Sequence, residues 1–194
     1  MKKDIILAGV GGQGILTIAT LLGEAVLKQD LNLKQAEVHG MSQRGGAVQS
    51  HVRISDEAIH SDLIPTASAD LILSLEPMES LRYLPYLKEE GWLITNTSTF
   101  INIPDYPQEE DLLNEISQIK NHLAFDAVQI AKNLGSIKAT NIVMLGAAAK
   151  FIGLEFNILQ EAIKTVFSTK GKKIVQMNLD ALDAGHEQQT LKTN

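Results

Sequence analysis

The segment that most constrains this chain is Ile5-Ile6-Leu7-Ala8 followed by Gly9-Val10-Gly11-Gly12-Gln13-Gly14. A continuous apolar run of this length reads as a strand buried on both faces of a parallel sheet. From Ile15 to Lys28, apolar residues recur at Ile15, Ile18, Ala19, Leu22, Ala25 and Val26, the spacing of one helix face. Gly9, Gly11 and Gly14 fit G-x-G-x-x-G in the strand-before, helix-after context that such a turn requires. Glycine permits the tight turn and lets backbone N–H groups approach an anion at the helix N-terminus.

The rest of the chain extends this unit into an α/β pattern. Leu33 to Val38 reads as a second strand. Ala47 to Ile54 sets Val48, Ser50, Val52 and Ile54 against Gln49, His51 and Arg53, which predicts an antiparallel or edge strand, with Ala58 to His60 pairing back across Ser55-Asp56-Glu57. Leu71 to Leu75 is a buried strand, Pro77 to Lys88 a short helix, and Trp92 to Thr95 a further strand. Asn96 to Pro107 is a loop, Glu109 to Lys120 an amphipathic helix, and His122 to Phe125 a short strand. Helices then follow at Ala127–Leu134, Thr140–Ile152, Ile158–Phe167 and Ile174–Ala184. The expected fold is α/β and Rossmann-like: a mostly parallel sheet with an inserted antiparallel ribbon and a helical C-terminal third. Residues 1–185 are expected to form one domain, and residues 186–194 a polar, frayed tail.

With 194 residues and 44% apolar composition, the chain buries enough surface to fold without disulfide or metal staples. It contains no cysteine. That excludes thiolate-bound zinc, cysteine-ligated iron–sulfur clusters and a cysteine nucleophile within it. No histidine pair has metal-binding spacing. A net charge of −6 argues against nonspecific nucleic-acid binding. The N-terminus carries no secretory pattern, and no apolar run reaches the roughly 18 residues of a membrane helix, so a cytoplasmic protein is expected.

Taken alone, the glycine turn supports several readings. Glu37 follows Gly14 by 23 residues and stands where an acid binds the ribose of NAD. A stand-alone NAD(P)-binding protein or reductase is therefore one reading. A noncatalytic nucleotide-binding assembly module is another, and a turn used only for close strand–helix packing is a third. Against the first, no later segment supplies a hydride-transfer site, and Glu37 runs into a second glycine-rich stretch that a dinucleotide fold has no need of.

That second stretch, His39-Gly40-Met41-Ser42-Gln43-Arg44-Gly45-Gly46 leading into His51-Val52-Arg53, changes the balance. Together with the first glycine turn, Ala69-Asp70-Leu71-Ile72 to Glu76-Pro77, and Thr140 to Gly146, it resembles the gamma-type domain of the pyruvate/2-oxoacid:ferredoxin oxidoreductases. The resemblance covers residues 4 to about 155 and is most similar to the free-standing small subunits of the indolepyruvate type. It implies CoA-dependent oxidative decarboxylation of a 2-oxoacid, with ferredoxin as electron acceptor and coenzyme A as co-substrate. Thiamine diphosphate and iron–sulfur clusters are then expected on a large alpha subunit, since this sequence has neither cysteine ligands nor a Gly-Asp-Gly thiamine motif. By itself the chain is expected to be inactive.

The site residues expected from the glycine loops are Gly9, Gly11, Gly12, Gln13, Gly14, Ser42, Gln43, Arg44, Gly45 and Gly46, for cofactor binding or subunit contact. Arg44 is the chief candidate, because flanking glycines permit close approach and a guanidinium suits a carboxylate or phosphate. His39 is expected to be a hydrogen-bonded structural histidine, and His51 and Arg53 to be exposed or at an interface. No residue is assigned a catalytic role.

Overall fold

The first strand, β1 (Lys2–Val10), ends in the glycine turn, and α1 (Ile15–Leu27) leaves it. In the computed structural model of the chain, which describes residues 1–39 and 45–189, β1 lies inside a six-stranded sheet. The other strands are β2 (Asn32–His39), β3 (Ala47–Ser55), β4 (Ala69–Ser74), β5 (Leu87–Asn96) and β6 (His122–Phe125), in the order β2-β3-β1-β4-β5-β6. β1, β4, β5 and β6 run parallel, whereas β3 is antiparallel to both β1 and β2. The expected mostly parallel sheet with an antiparallel ribbon is thus what forms.

The remaining helices are α2 (Pro77–Arg82), α3 (Glu109–Ser117), α4 (Ala127–Asn133), α5 (Thr140–Ile152), α6 (Phe156–Val166) and α7 (Lys172–Glu187). β1 is apolar throughout because both of its faces are covered. Ile5 and Leu7 enter the larger core with α1, α5, α6 and α7, while Ile6 enters a smaller one with Ile72, Leu93 and Ile116 of α3. α5 is buried almost all round, which is why its sequence shows little amphipathic contrast. No helix of the described residues is long and apolar enough to cross a membrane.

Several local expectations give way to tertiary contacts. Residues 58–60 form no strand. The helix predicted to reach Lys88 stops at Arg82, and a single 3₁₀ turn over Leu84–Tyr86 leads into β5. The edge of the ribbon is β2, while β3 lies between β2 and β1. Glu37 therefore stands two strands away from the glycine turn, on a strand antiparallel to its neighbour. The ribose-binding position belongs to a second strand running parallel beside the first, so the dinucleotide reading of Glu37 fails.

On the polar face of β3, His51 and Arg53 find their partners within the chain. His51, 3% exposed, accepts the Ile64 N–H at Nδ1 over 3.0 Å and meets Tyr86 edge-on. Arg53 forks onto Asp4, at 2.7 Å from Nε and 3.0 Å from Nη2, and also donates to the Ser61 and Leu63 carbonyls. Neither is the exposed interface residue expected from the alternation.

Burial lowers the His51 pKa, against the opposing pull of the Asp62 carboxylate. The unfolded chain then binds this proton more readily, so the His51 contribution is complete above about pH 6.5 and is lost as pH falls. His51→Asn retains an acceptor but cannot titrate. Melting curves between about pH 5 and 7.5 should show a shallower acid decline for the variant than for the unaltered chain. Parallel curves would rule out His51 as a source of that decline.

The C-terminal expectation also changes. α7 does not end at Ala184 but continues to Glu187. Gly185 is fully packed, His186 stacks on Phe156 with ring centroids 4.2 Å apart, and Gln189 donates to the Gly146 carbonyl at 2.7 Å.

Candidate functional site: a basic crevice beside the glycine turn

At the C-terminal ends of β1, β4 and β5 lies a crevice of about 680 Å³. This is the position where open parallel sheets bind ligands, outside the carboxyl ends of the strands. Gly12, Gly14 and Thr17 form one wall, Asn96, Ser98 and Phe100 a second, and Lys132, Ile137, Lys138, Thr140 and Asn141 a third.

The glycine turn is shaped for both packing and approach. A side chain at Gly9 would meet Gln13 Oε1 at 2.7 Å and Leu75 Cβ at 3.2 Å, so this glycine seats β1 against its neighbours. Gly14 is the N-cap of α1 in the left-handed region, with φ of 92°, where other residues are strained. Its carbonyl accepts from Asn141 Nδ2 at 3.1 Å, which fixes α1 to the start of α5. Both helices have 13 residues and open onto the crevice. The Thr17 N–H is taken by the Gly14 carbonyl at 3.1 Å and the Thr140 N–H by the Ile137 carbonyl, while the positive ends of both helix dipoles favour negative charge here.

Gln13 is a structural brace. Its Oε1 accepts the Val10 N–H at 2.7 Å and its Nε2 donates to the Leu75 carbonyl at 3.2 Å. Gly11 is also occupied: its N–H donates to Gly46 O at 2.9 Å, and Gly45 N–H returns to Gly11 O at 3.5 Å. The structure thus brings the two glycine stretches together through Gly11, Gly45 and Gly46. Of the expected site residues, Gly12, Gln13 and Gly14 line the crevice, Gly12 as open backbone and Gly14 packed against Asn141, while Gly9 builds the turn. Ser42, Gln43 and Arg44 lie outside the described residues, as does the side chain of His39.

The second wall is held by polar groups that serve the fold. Asn96 donates to the Leu75 and Ser98 carbonyls and accepts the Ala127 N–H at 3.0 Å, capping α4. Ser98 bonds Asp126, whose carboxyl also takes the Gln129 N–H. The loop beyond is anchored on Glu76, fully buried. The Phe100 N–H donates to its Oε1 at 3.3 Å and the Tyr106 hydroxyl donates to the same oxygen. Burial, together with this bond to Glu76, pushes the Tyr106 hydroxyl well above the ordinary phenol range. Tyr106 therefore stays a donor at any physiological pH.

Among the described residues, no histidine, aspartate or glutamate lines the crevice. What it offers is positive charge: Lys132 and Lys138 are exposed on its rim, and neither forms an ion pair among the described residues. Asn141 is 6% exposed, and its buried Oδ1 has no hydrogen-bond partner. The arrangement suits an anionic molecule.

Lys132, Lys138, Thr17 and Asn141 were not singled out from the sequence as site residues. The available signal was two lysines bracketing the short Asn133-Leu134-Gly135-Ser136-Ile137 link, immediately before the Thr140–Gly146 segment.

The Pyruvate ferredoxin/flavodoxin oxidoreductase family matches residues 4–188. The chain is 40% identical to the indolepyruvate oxidoreductase subunit IorB of Pyrococcus horikoshii, with 95% of each chain covered. It is 37% identical to IorB of Archaeoglobus fulgidus, over 97% of this chain and 96% of the relative. With the ketoisovalerate oxidoreductase subunit VorA of Methanothermobacter marburgensis it shares 29% identity, over 92% of this chain but 35% of that longer one. Among solved structures, the keto/oxoacid ferredoxin oxidoreductase gamma subunit of Geobacter sulfurreducens superposes with a TM-score of 0.74 at 26% identity, covering 97% and 99% of the two chains. With the family matched over residues 4–188 and relatives 37% and 40% identical along nearly their whole length, the chain belongs to the pyruvate ferredoxin/flavodoxin oxidoreductase family.

Proposed function

We infer that this chain is the small subunit of a 2-oxoacid:ferredoxin oxidoreductase acting on indolepyruvate or a related aryl pyruvate. The observation that carries the reading is its near full-length likeness, at 37% and 40% identity, to two IorB subunits. A chain without cysteine cannot ligate the clusters of a ferredoxin-reducing enzyme, so these and thiamine diphosphate belong to a large alpha subunit. When bound there, thiamine diphosphate stabilises the carbanion left by decarboxylation, and the clusters carry its electrons to ferredoxin.

The contribution of this chain is the crevice, which receives the phosphates of coenzyme A. Lys132 and Lys138 supply charge, and the α1 and α5 N-termini supply backbone donors. Thr17 and Gly12 leave room for close approach.

The test uses the chain assembled with the large subunit encoded by the same genome. Indolepyruvate- and CoA-dependent viologen reduction is expected from the complex and not from the isolated chain. Replacing Lys132 and Lys138 together by Ala should raise KM for CoA about tenfold or more, since 1.4 kcal/mol of lost phosphate interaction corresponds to a factor of ten. Here kcat and the melting temperature should be nearly unchanged. Oxoacid-dependent activity of the chain alone would overturn the subunit reading, and an unaltered KM would overturn the crevice assignment.

A further inference from the structure

We propose that two apolar lips on the rim of the crevice are the surface on which the large subunit docks. The proposal rests on the functional reading above and goes beyond it by placing the interface. One lip is Phe100, Ile101 and Ile103, on the loop between β5 and α3. The other is Leu134 and Ile137, on the link between α4 and α5.

Among the described residues, half of the large apolar side chains that stand exposed are in these two short segments, with Ile101 at 74% and Ile137 at 54%. Residues 100–103 and 134–137 carry no charge, and Lys138 follows the second directly. Clustered apolar exposure of this kind marks an interaction surface, whereas single exposed apolar residues do not. Aromatic and aliphatic anchors around a polar feature are also the usual anatomy of a protein interface.

The first lip is held out rather than hanging free. Its base is tied to the buried Glu76 through the Phe100 N–H and the Tyr106 hydroxyl, and Asn102 Nδ2 donates to the Gly45 carbonyl at 2.7 Å. The loop is thereby joined to the second glycine stretch, and through Gly11 to the first. A loop ordered in advance loses less conformational freedom on binding.

Two observations select the occupant. In VorA, the region similar to this chain makes up about a third of a longer subunit. The counterpart domain there has a large protein body attached to it in the same polypeptide. In addition, CoA held by its phosphates at Lys132 and Lys138 would have to bring its thiol to the thiamine diphosphate site, which the functional reading assigns to the large subunit. The mouth of the crevice must therefore face that chain, and the lips are what surrounds the mouth. Docked on both lips, the large subunit would roof the crevice while leaving the lysine-lined slot between them.

The test titrates purified chain against the purified large subunit encoded by the same genome and reads the dissociation constant. The combined variant Ile101→Asp and Ile137→Asp is expected to bind at least about thirtyfold more weakly, the loss typical of interface anchors. Leu27→Asp, an equally exposed apolar residue at the far end of α1, should stay within about twofold of the unaltered chain. Because a variant can fail by misfolding, amide hydrogen exchange on the unaltered complex is read as well. Slowed exchange at residues 99–103 and 134–138 is the expected result.

If the complex forms but the lip variant binds as tightly as the unaltered chain, or protection falls only elsewhere, the docking surface is overturned while the subunit reading stands. If the unaltered chain does not bind the large subunit at all, both are overturned. If the chain alone is a dimer that the lip variant renders monomeric, with large-subunit affinity unchanged, the lips serve a second copy and the proposal fails.

Discussion

Gly185→Ala should lower the melting temperature of the isolated chain by roughly 6–12 °C, corresponding to about 3 kcal/mol in a domain of this size. α5 and α7 touch backbone to backbone at a pair of glycines. A Cβ on Gly185 would lie 1.9 Å from the Val143 carbonyl oxygen, and one on Gly146 would lie 2.1 Å from the Leu182 oxygen. These neighbours are main-chain atoms of buried helices and cannot rotate away. The helices would have to part by more than about an ångström, opening a core that packs like a molecular crystal. Helix propensity alone predicts the opposite sign, a gain of about 1 kcal/mol for Ala over Gly. Gly23→Ala in α1 is the control, since nothing lies within 4 Å of its added methyl, and it should leave stability unchanged or raised. A thermal scan of the two variants decides the matter. If Gly185→Ala melts at or above the unaltered temperature, the close contact does not exist as described.

Glu76→Ala is expected to cost about 2–5 kcal/mol, seen as a lower melting point together with faster proteolysis within residues 97–107. Three donors converge on this buried carboxyl. The Glu79 N–H donates to Oε2 at 2.9 Å and caps α2, and the Phe100 N–H and Tyr106 hydroxyl share Oε1. Loss of the cap is worth about 1 kcal/mol. Each further donor left unsatisfied in a buried setting costs about 1–3 kcal/mol. Removing a buried, desolvated carboxyl offsets part of this, so the sum stays below the separate maxima. Tyr106→Phe removes one bond and should lose less, and Glu76→Gln should fall between. Because the loop walls the crevice and carries an apolar lip, Glu76→Ala should also weaken assembly with the large subunit. Wild-type proteolysis and melting in Glu76→Ala would show that the loop is held by other contacts.

The beginning of the fold was readable because its determinants are local. A both-faces apolar run, a glycine turn and a 3.6-residue period lie consecutively from Ile5 to Lys28, and β1, the turn and α1 follow them within a few residues. The same holds for the antiparallel character of β3, announced by its alternation, and for the helical C-terminal third. The absence of cysteine fixes which clusters this chain cannot ligate, whatever its fold.

What the sequence concealed is non-local. His51 and Arg53 read as solvent-facing because period-two alternation reports polarity, not partners. Asp4, Ile64 and the Ser61 and Leu63 carbonyls satisfy them, and those partners come from other strands and loops. Glu37 passed for a ribose-binding acid because spacing along the chain does not reveal that β3 inserts between β2 and β1. The crevice joins Gly12 and Gly14 to Lys132, Lys138 and Asn141, more than a hundred residues away, and no periodicity connects such segments.

Gly185 shows the limit most sharply. In the sequence it looked like the point where a helix gives way to a polar tail, since glycine weakens helices and the residues after it are hydrophilic. In the fold it is where α7 lies directly on α5, and only a residue without a side chain fits between the two backbones. Sequence by itself determined the α/β unit, the glycine turn and the exclusion of cysteine-ligated clusters, because those depend on neighbouring residues and on composition. Strand order, the basic crevice and the glycine contact between α5 and α7 were decided by tertiary structure alone, because they arise from backbone surfaces meeting across long stretches of chain.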